Sequence, residues 1–379
     1  MEKKDRSISI IVPLYRGEKY IAHIVDQVRK NAELLPECDI ELILYNDYPD
    51  GKIKQEFAES QPNLTIKVIN SEINLGIHGA RVEGLKESKN DIVMFLDQDD
   101  YIYPNYLKSQ LDAMEEGDIV ICKCFHNNKL HYSDSYRFED VVSAEFMFSK
   151  WNPIVSPGQV ILKKNIIPQV WTERILKING SDDYYLWLLL AGSGIYFKLN
   201  NEVLFEHVMN DDNTSLDTNR MMDSEDEMIS NLLDCDIFNS EQKKLLINLR
   251  TSLRRIHIKE LEDFREAYYC YKMLNDSIPC EILAKRIGIY GAGVVGQTIG
   301  NILSQKYGIE IFYIDRNAGN ISVNKTVYSP ENVQGDVGAI IVSPLPGRME
   351  LVNKIQSQFQ CDVYPLREFI RICNSQKMS

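Results

Sequence analysis

Asp91-Ile92-Val93-Met94-Phe95-Leu96-Asp97-Gln98-Asp99-Asp100 runs five apolar residues straight into an acidic cluster. A short apolar run without alternation reads as a strand buried on both faces, as in a parallel sheet. Residues 7–14 (SISIIVPL), 39–45 and 64–69 read the same way. Between them, residues 18–34 carry Ile21, Ile24, Val25 and Val28 on one helical stripe, and residues 76–86 read as a second helix. Strands alternating with helices predict an α/β fold with right-handed crossovers and a mostly parallel sheet. Ligands of such sheets bind outside the carboxyl ends of the strands. That places the chemistry at residues 13–16, 46–50 and 97–100.

Beyond a strand at 118–124 the pattern loosens. Residues 152–158 read as a loop, 159–162 as a strand, 182–190 as a helix, and 217–275 as helical throughout. Within the last segment, Leu245, Leu246, Leu249, Leu253 and Ile256 form one stripe, and Lys243, Lys244, Arg250, Arg254, Arg255 and Lys259 lie on the polar side. The plain reading is a packed connecting helix. The sharper one is a peripheral contact of residues 241–260 with an anionic membrane surface. A new unit begins near residue 285. It has a strand at 286–290, the glycine loop 291–296, a helix to 307, and strands at 309–314 and 339–342. The expected division is 1–216, a helical connector 217–284, and a small Rossmann-like α/β domain 285–379.

The formal net charge of −13 argues against a nucleic-acid partner, which needs clustered Lys and Arg. The eight cysteines are scattered without a Cys-x-x-Cys pair, as expected of a reduced, cytoplasmic protein. The first residues lack the apolar core of a signal peptide. The longest apolar stretch, 184–197, is interrupted by Gly192 and Gly194 and is too short to span a bilayer, which takes ~20 residues.

Asp97 and Asp99 stand two apart at a strand end, so both carboxylates leave the same side of the chain. Such a pair suits a hard divalent ion, and a diphosphate leaving group needs one as its charge grows. Around it lie Ile10-Ile11-Val12-Pro13-Leu14-Tyr15, then Asp47, then Asn74-Leu75-Gly76 ahead of Ala80-Arg81, then Phe95 to Asp100. This ordered set, over residues 7–216, resembles glycosyltransferase family 2, whose members have the GT-A nucleotide-sugar-binding fold.

The resemblance implies roles. Pro13, Tyr15 and Asp47 would frame the nucleoside, with Asp47 accepting from the base edge, which favours UDP. Asp97 would lie near the ribose or diphosphate. Asp99 would hold Mn²⁺ or Mg²⁺, with His207 as a further ligand. Arg81 would support the pocket or tie helix to strand, and His78 would approach the nucleotide. In Gly180-Ser181-Asp182-Asp183, Asp183 would be the general base, since a sugar hydroxyl is a poor nucleophile. Ser181 or Asp182 would cap the helix. The reaction implied is inverting, from a nucleotide-sugar donor to a surface glycan or lipid-linked acceptor entering near residues 152–159. Trp151 and Trp187 are candidates for sugar stacking or core packing. Two departures from the family pattern stand out: Arg16 replaces the usual Asn, and Asn46 replaces the first acid before Asp47.

In the C-terminal unit, Gly291, Gly293 and Gly296 follow a strand and open a helix, with Asp315 at the end of the next strand. That is the context of a dinucleotide fingerprint. NAD, another nucleotide or anion, and a purely structural or docking role are the alternatives. A rival reading makes the chain a nucleotide-sugar oxidoreductase or epimerase run by this loop. Another makes it an inactive nucleotide-sugar-binding scaffold. Tyr268 and Lys272 have dehydrogenase-like spacing but precede the glycine loop, the wrong order.

Overall fold

The computed structural model describes residues 6–54, 61–126, 129–132, 137–208, 213–274, 286–321, 323–343 and 349–375. Cys280 and the expected boundary at 284/285 lie outside these residues, as do Met209 and Asn210 beside His207. The chain divides into two compact units, Met1–His257 and Ile258–Ser379.

In the first unit, β1 (Ile8–Leu14), β2 (Ile40–Asn46), β3 (Leu64–Asn70) and β4 (Ile92–Phe95) form the expected parallel sheet, in the order β3-β2-β1-β4. All of β1, β2 and β4 is buried, which is why these runs are apolar without alternation. Helices α1 (Glu18–Glu33) and α2 (Gly76–Glu87) make the crossovers. The buried stripe of α1 includes Ile21, Ile24, Val25 and Val28. Helix α2 lies very close on β1: a Cβ at Gly84 would come within 2.4 Å of Ile11 Cγ2.

The sheet then becomes mixed. β5 (Tyr101–Ile102), β6 (Ile119–His126), β7 (Lys129–Leu130), β8 (Val160–Lys163) and β9 (Lys198–His207) extend it as β4-β8-β6-β9-β5, with β7 on β6. Strand β8 runs antiparallel to both neighbours, and β9 is parallel to β6. Short helices α3 (Tyr106–Ala113), α4 (Phe138–Val141), α5 (Ala144–Ser149) and α6 (Gln169–Glu173) precede α7 (Asp182–Gly192). All of α7 from Tyr184 to Ala191 is buried, Trp187 included, so this helix runs through the core rather than along the surface.

The segment expected to be helical throughout is two helices, α8 (Thr218–Leu233) and α9 (Ser240–Leu274). A reciprocal cap explains the restart: Gln242 N donates to Asn239 Oδ1 (2.9 Å) and Asn239 N donates to Gln242 Oε1 (3.0 Å). Leu246, Leu249 and Leu253 are buried as the stripe predicted, whereas Leu245 and Ile256 are exposed. The basic side is not simply solvated. Arg250 and Arg254 both pair with Asp226 of α8, and His257 meets Glu225 at 3.1 Å. No helix among the described residues is long and apolar enough to cross a membrane. Cys38, Cys122, Cys124, Cys235 and Cys270 are buried, unbridged thiols.

The second unit is an all-parallel sheet in the order β12-β11-β10-β13-β14. Its strands are β10 (Ile287–Tyr290), β11 (Ile311–Ile314), β12 (Val327–Tyr328), β13 (Ala339–Val342) and β14 (Asp362–Pro365). Helices α10 (Val294–Tyr307), α11 (Met349–Gln358) and α12 (Leu366–Ser375) complete it. The sequence reading finds β10, β11 and β13 but neither outer strand. A Cβ at Gly296 would meet the Gly291 carbonyl oxygen at 1.9 Å, whereas one at Gly293 meets nothing within 4 Å. Gly296→Ala should therefore destabilise this unit by about 1–3 kcal/mol through overpacking. Gly293→Ala should change stability by less than about 0.5 kcal/mol. Thermal melting of the two full-length variants checks the contrast.

Candidate functional site

The order of the first sheet reverses between β1 and β4, and the loops at the carboxyl ends of β1, β2 and β4 open there into one cavity of about 570 Å³. Pro13, Tyr15, Asp47, Arg81, Asp97, Asp99, Asp183 and His207 line it. Helices deliver Arg81 and Asp183, strand ends deliver the other carboxylates, and His207 is the last residue of β9.

His78 is a correction. It is 1% exposed and faces the core from α2, against Trp171 (centroids 4.6 Å apart) and Tyr185. Its Nδ1 accepts from Leu176 N (2.9 Å), and burial lowers its proton affinity. It does not line the cavity. Two positions of separation put it about 200° round the helix from Ala80, which lines the cavity. Trp151 and Trp187 also lie outside the lining; Trp187 is fully buried and Trp151 packs edge-on against Phe146.

Arg81 is 3% exposed and sits between two carboxylates. Its Nη1 donates to Asp182 Oδ2 (2.5 Å) and its Nη2 to Asp97 Oδ1. Burial works against the guanidinium charge, but Asp182, Asp97 and Asp183 outweigh it and hold the proton above the ordinary range. Asp182 is thus an ion-pair partner and not the helix cap expected. Ser181 does not cap with its side chain either; its hydroxyl meets Ser224 Oγ at 2.8 Å.

Asp183 shares the cavity. Asn152 Nδ2 donates to its Oδ2 (3.0 Å) and Tyr184 N to its Oδ1 (2.7 Å). Burial and the neighbouring Asp182 push its carboxyl up to about 7, against the pull of Arg81. A carboxylate raised above its ordinary range is a stronger proton acceptor when charged.

Asp100, the last acid of the quoted run, is fully buried behind the site. Its Oδ1 meets His207 Nδ1 (2.8 Å) and accepts from Val208 N (3.2 Å), and its Oδ2 accepts from Ser156 Oγ (2.5 Å). Burial opposes charge on His207, but Asp100 outweighs it and raises its proton affinity. Nδ1 being engaged, Nε2 is the atom of His207 that can ligate. A carboxylate behind an imidazole is the usual way to fix such a ligand. Among the described residues no three His, Cys, Asp or Glu side chains converge into a ready metal cage. Asp99 and His207 are two donors from the cavity wall.

On the opposite wall, Asp47 is 3% exposed and its Oδ1 accepts from Leu75 N (2.8 Å). Burial raises its carboxyl pKa, against the amides of Leu75 and Gly76. The two departures from the family pattern have local reasons. Asn46 Nδ2 donates to Gly51 O (2.5 Å) and Asn70 Oδ1 (2.9 Å), bonds a carboxylate cannot make. Arg16 has φ +52°, the left-handed region that Asn enters more easily, and its guanidinium lies 5.0 Å from the Tyr48 ring centre. Gln98, unremarked in the sequence, reaches back across the cavity: Tyr15 N donates to its Oε1 (3.1 Å). Lys19, Asn179 and Arg220 also line the cavity without any local signal that marks them.

Residues 9–163 match the sequence model of the family described as "Glycosyl transferase family 2". This part of the chain is a family 2 glycosyltransferase domain. Curated relatives include the poly(ribitol-phosphate) beta-N-acetylglucosaminyltransferase TarS of Staphylococcus aureus, 30% identical over 30% of this chain and 20% of the relative. The putative glycosyltransferase EpsH of Bacillus subtilis is 32% identical over 31% and 33%. An uncharacterized glycosyltransferase of Rickettsia conorii is 24% identical over 69% and 43%. The matches thus span less than half the length of these relatives. Solved structures with partial likeness include TarS 1–349 in complex with UDP-GlcNAc (TM-score 0.49, 18% identity, 63% of this chain and 70% of that one). Another is a mannosyltransferase of Pyrobaculum calidifontis in complex with GDP-Man and Mn2+ (TM-score 0.47, 13% identity, 64% and 68%).

Outside the transferase domain, the glycine loop and Asp315 do come together. Asp315 Oδ2 accepts from Ala292 N (3.0 Å) and Oδ1 from Asn317 N (3.0 Å), so both oxygens already hold backbone amides. Gly296 serves helix–strand packing against Gly291 and Ser343.

The buried ion pairs of the transferase domain carry a stability prediction. Arg81→Met leaves Asp182 buried without its counter-charge and should cost about 3–5 kcal/mol. Urea denaturation at pH 7 measures the loss.

Proposed function

We propose that this chain is an inverting, metal-dependent glycosyltransferase that moves a sugar from a UDP-sugar to a hydroxyl of a bacterial surface glycan or lipid-linked acceptor. The observation that carries the reading is the convergence of Asp183, at the start of α7, with Asp97 and Asp99 in one cavity. The name of TarS, an N-acetylglucosaminyltransferase acting on a polyol phosphate, supports a surface-glycan acceptor. In this reading residues 1–216 carry the transferase, 217–284 connect, and 285–379 serve docking or structure.

Tyr15 and Asp47 frame the nucleobase, and a carboxylate oxygen of Asp47 accepts the uracil N–H. Asp97, held by Arg81, orients the ribose or diphosphate. Asp99 and His207 would hold the divalent cation, and one carboxylate with one imidazole suits Mn²⁺ better than the all-oxygen taste of Mg²⁺. When bound, the cation neutralises the charge that grows on the departing diphosphate. Asp183 takes the proton of the acceptor hydroxyl as its oxygen bonds to the anomeric carbon. The bond from that carbon to the diphosphate breaks in the same displacement, and its electron pair leaves with UDP. One base and one leaving group invert the anomeric centre without an enzyme nucleophile. The chain would work in the cytoplasm, at the inner face of the membrane that holds a lipid-linked acceptor.

Release of UDP from UDP-N-acetylglucosamine and other UDP-sugars, with Mn²⁺ present, tests the reading. The rate should fall about tenfold per pH unit below pH 7, because the protonated Asp183 cannot accept. Asp183→Asn should keep UDP affinity and lose turnover. Asp99→Ala should abolish metal-dependent turnover in a protein that still folds, and full activity in that variant would refute the metal assignment.

A further inference from the structure

The segment from Asn152 to Gln159 was expected only to border the acceptor. The structure shows it tied to its surroundings by several buried hydrogen bonds. Ser156, Pro157, Gly158 and Gln159 are buried. Gln159 Nε2 donates to Cys122 O (3.0 Å) and Tyr132 Oη (2.9 Å), and its Oε1 accepts from Val155 N (2.9 Å). Tyr132 Oη donates to Pro153 O (3.2 Å) and Tyr106 Oη to Gly158 O (2.6 Å). Asn152, at the head of the loop, is locked by accepting from Ile154 N through Oδ1 (3.1 Å), which fixes its amide plane. Its Nδ2 is then left pointing at Asp183 Oδ2, 3.0 Å away.

We propose that Asn152 is a positioning residue for the general base: its fixed amide holds one oxygen of Asp183 and favours the charged carboxylate that receives the acceptor proton. The inference rests on the transferase reading above and deepens it. Asp183 has few other sources of such help. The groups facing it are Asp182 on its own helix α7, Asp97 from the end of β4, and Arg81 from α2. The two acids disfavour its charge. Arg81 favours it, but its guanidinium hydrogen-bonds to Asp182 and Asp97. Among the described residues, Asn152 Nδ2 is the side-chain donor to Asp183, beside the backbone amide of Tyr184. A donor to the charged form lowers a carboxyl pKa, so Asn152 counteracts burial without adding charge to the acceptor side. The tethering of the loop makes this donor rigid, and a preorganised donor costs nothing to align at the moment of transfer.

The test compares wild type, Asn152→Ala and Asn152→Asp as full-length proteins. The Asp183 carboxyl is titrated by carbon-13 NMR, with Asp183→Asn assigning its resonance, and UDP release from UDP-N-acetylglucosamine is followed against pH. Asn152→Ala should move the Asp183 midpoint up by about one unit, and the acid limb of UDP release with it. Asn152→Asp should move it further in the same direction, by adding a like charge. The Kd for UDP should stay within twofold in both. An unchanged midpoint in a folded Asn152→Ala protein overturns the inference. So does a parallel loss of UDP affinity and rate with no shift of the limb, which marks a merely structural contact. Because the titration needs no donor, it stands apart from the transferase reading, which falls instead if wild type releases no UDP from any UDP-sugar.

Discussion

The buried guanidinium of Arg81 is the contact on which the rest of the site depends. It joins Asp97, at the end of β4, to Asp182, at the start of α7, far along the chain. A charge this deep is costly unless its partners are placed well, and removing any one leaves another exposed to low dielectric. The triad therefore fixes where α7 begins relative to the sheet, and with it the position of Asp183 one residue on. It also fixes the slope of Asp97 toward the cavity. Helix α2 can deliver Arg81 so deep because it lies almost against β1, where Gly84 leaves room for Ile11.

A second buried acid does the same on the other side. Asp100 gathers Ser156 and the adjacent pair His207-Val208, two segments far from it and from each other in sequence, and engages His207 Nδ1 so that Nε2 is the ring nitrogen left. The stacking of His207 on His126, 5.2 Å between ring centres and 5° between planes, holds the ring from its flat side. Asp183 and His207 are thus each placed by buried charged groups behind the cavity wall, and the loop from Asn152 to Ser156 touches both arrangements. Such second-layer groups are what keep reacting side chains within the tolerance that catalysis requires.

The parallel half of the sheet was legible because its strands are buried on both faces and need no partner information to recognise: β1, β2 and β4 are plain apolar runs. Their carboxyl ends then locate the cavity by a rule of topology, which is why Pro13, Asp47, Asp97 and Asp99 could be named from sequence. Strands β5 and β9 were missed, since β5 is only 2 residues long, β9 pairs irregularly with β6, and both owe their pairing to distant chain. For His78, nearness in sequence to Asn74-Leu75-Gly76 suggests an approach to the nucleotide, whereas position 78 of the helix packs into the core beside Trp171. Asp182 was read as a cap because an acid at a helix start has that local meaning; its true partner lies 101 residues earlier. Asn46 and Arg16 looked like defects of a motif, and each turns out to have its own bonds: Asn46 donates where an acid could not, and Arg16 stacks on Tyr48 from a left-handed backbone.

The central claim is that the cavity at the ends of β1, β2 and β4 binds a nucleotide diphosphate through a metal held by Asp99 and His207. Calorimetric titration of UDP into the full-length protein, with and without Mn²⁺, addresses it most directly. Saturable binding that requires Mn²⁺ and is lost in His207→Ala is the predicted result. Binding of UDP that is equally tight without metal, or no binding in either condition, would contradict it.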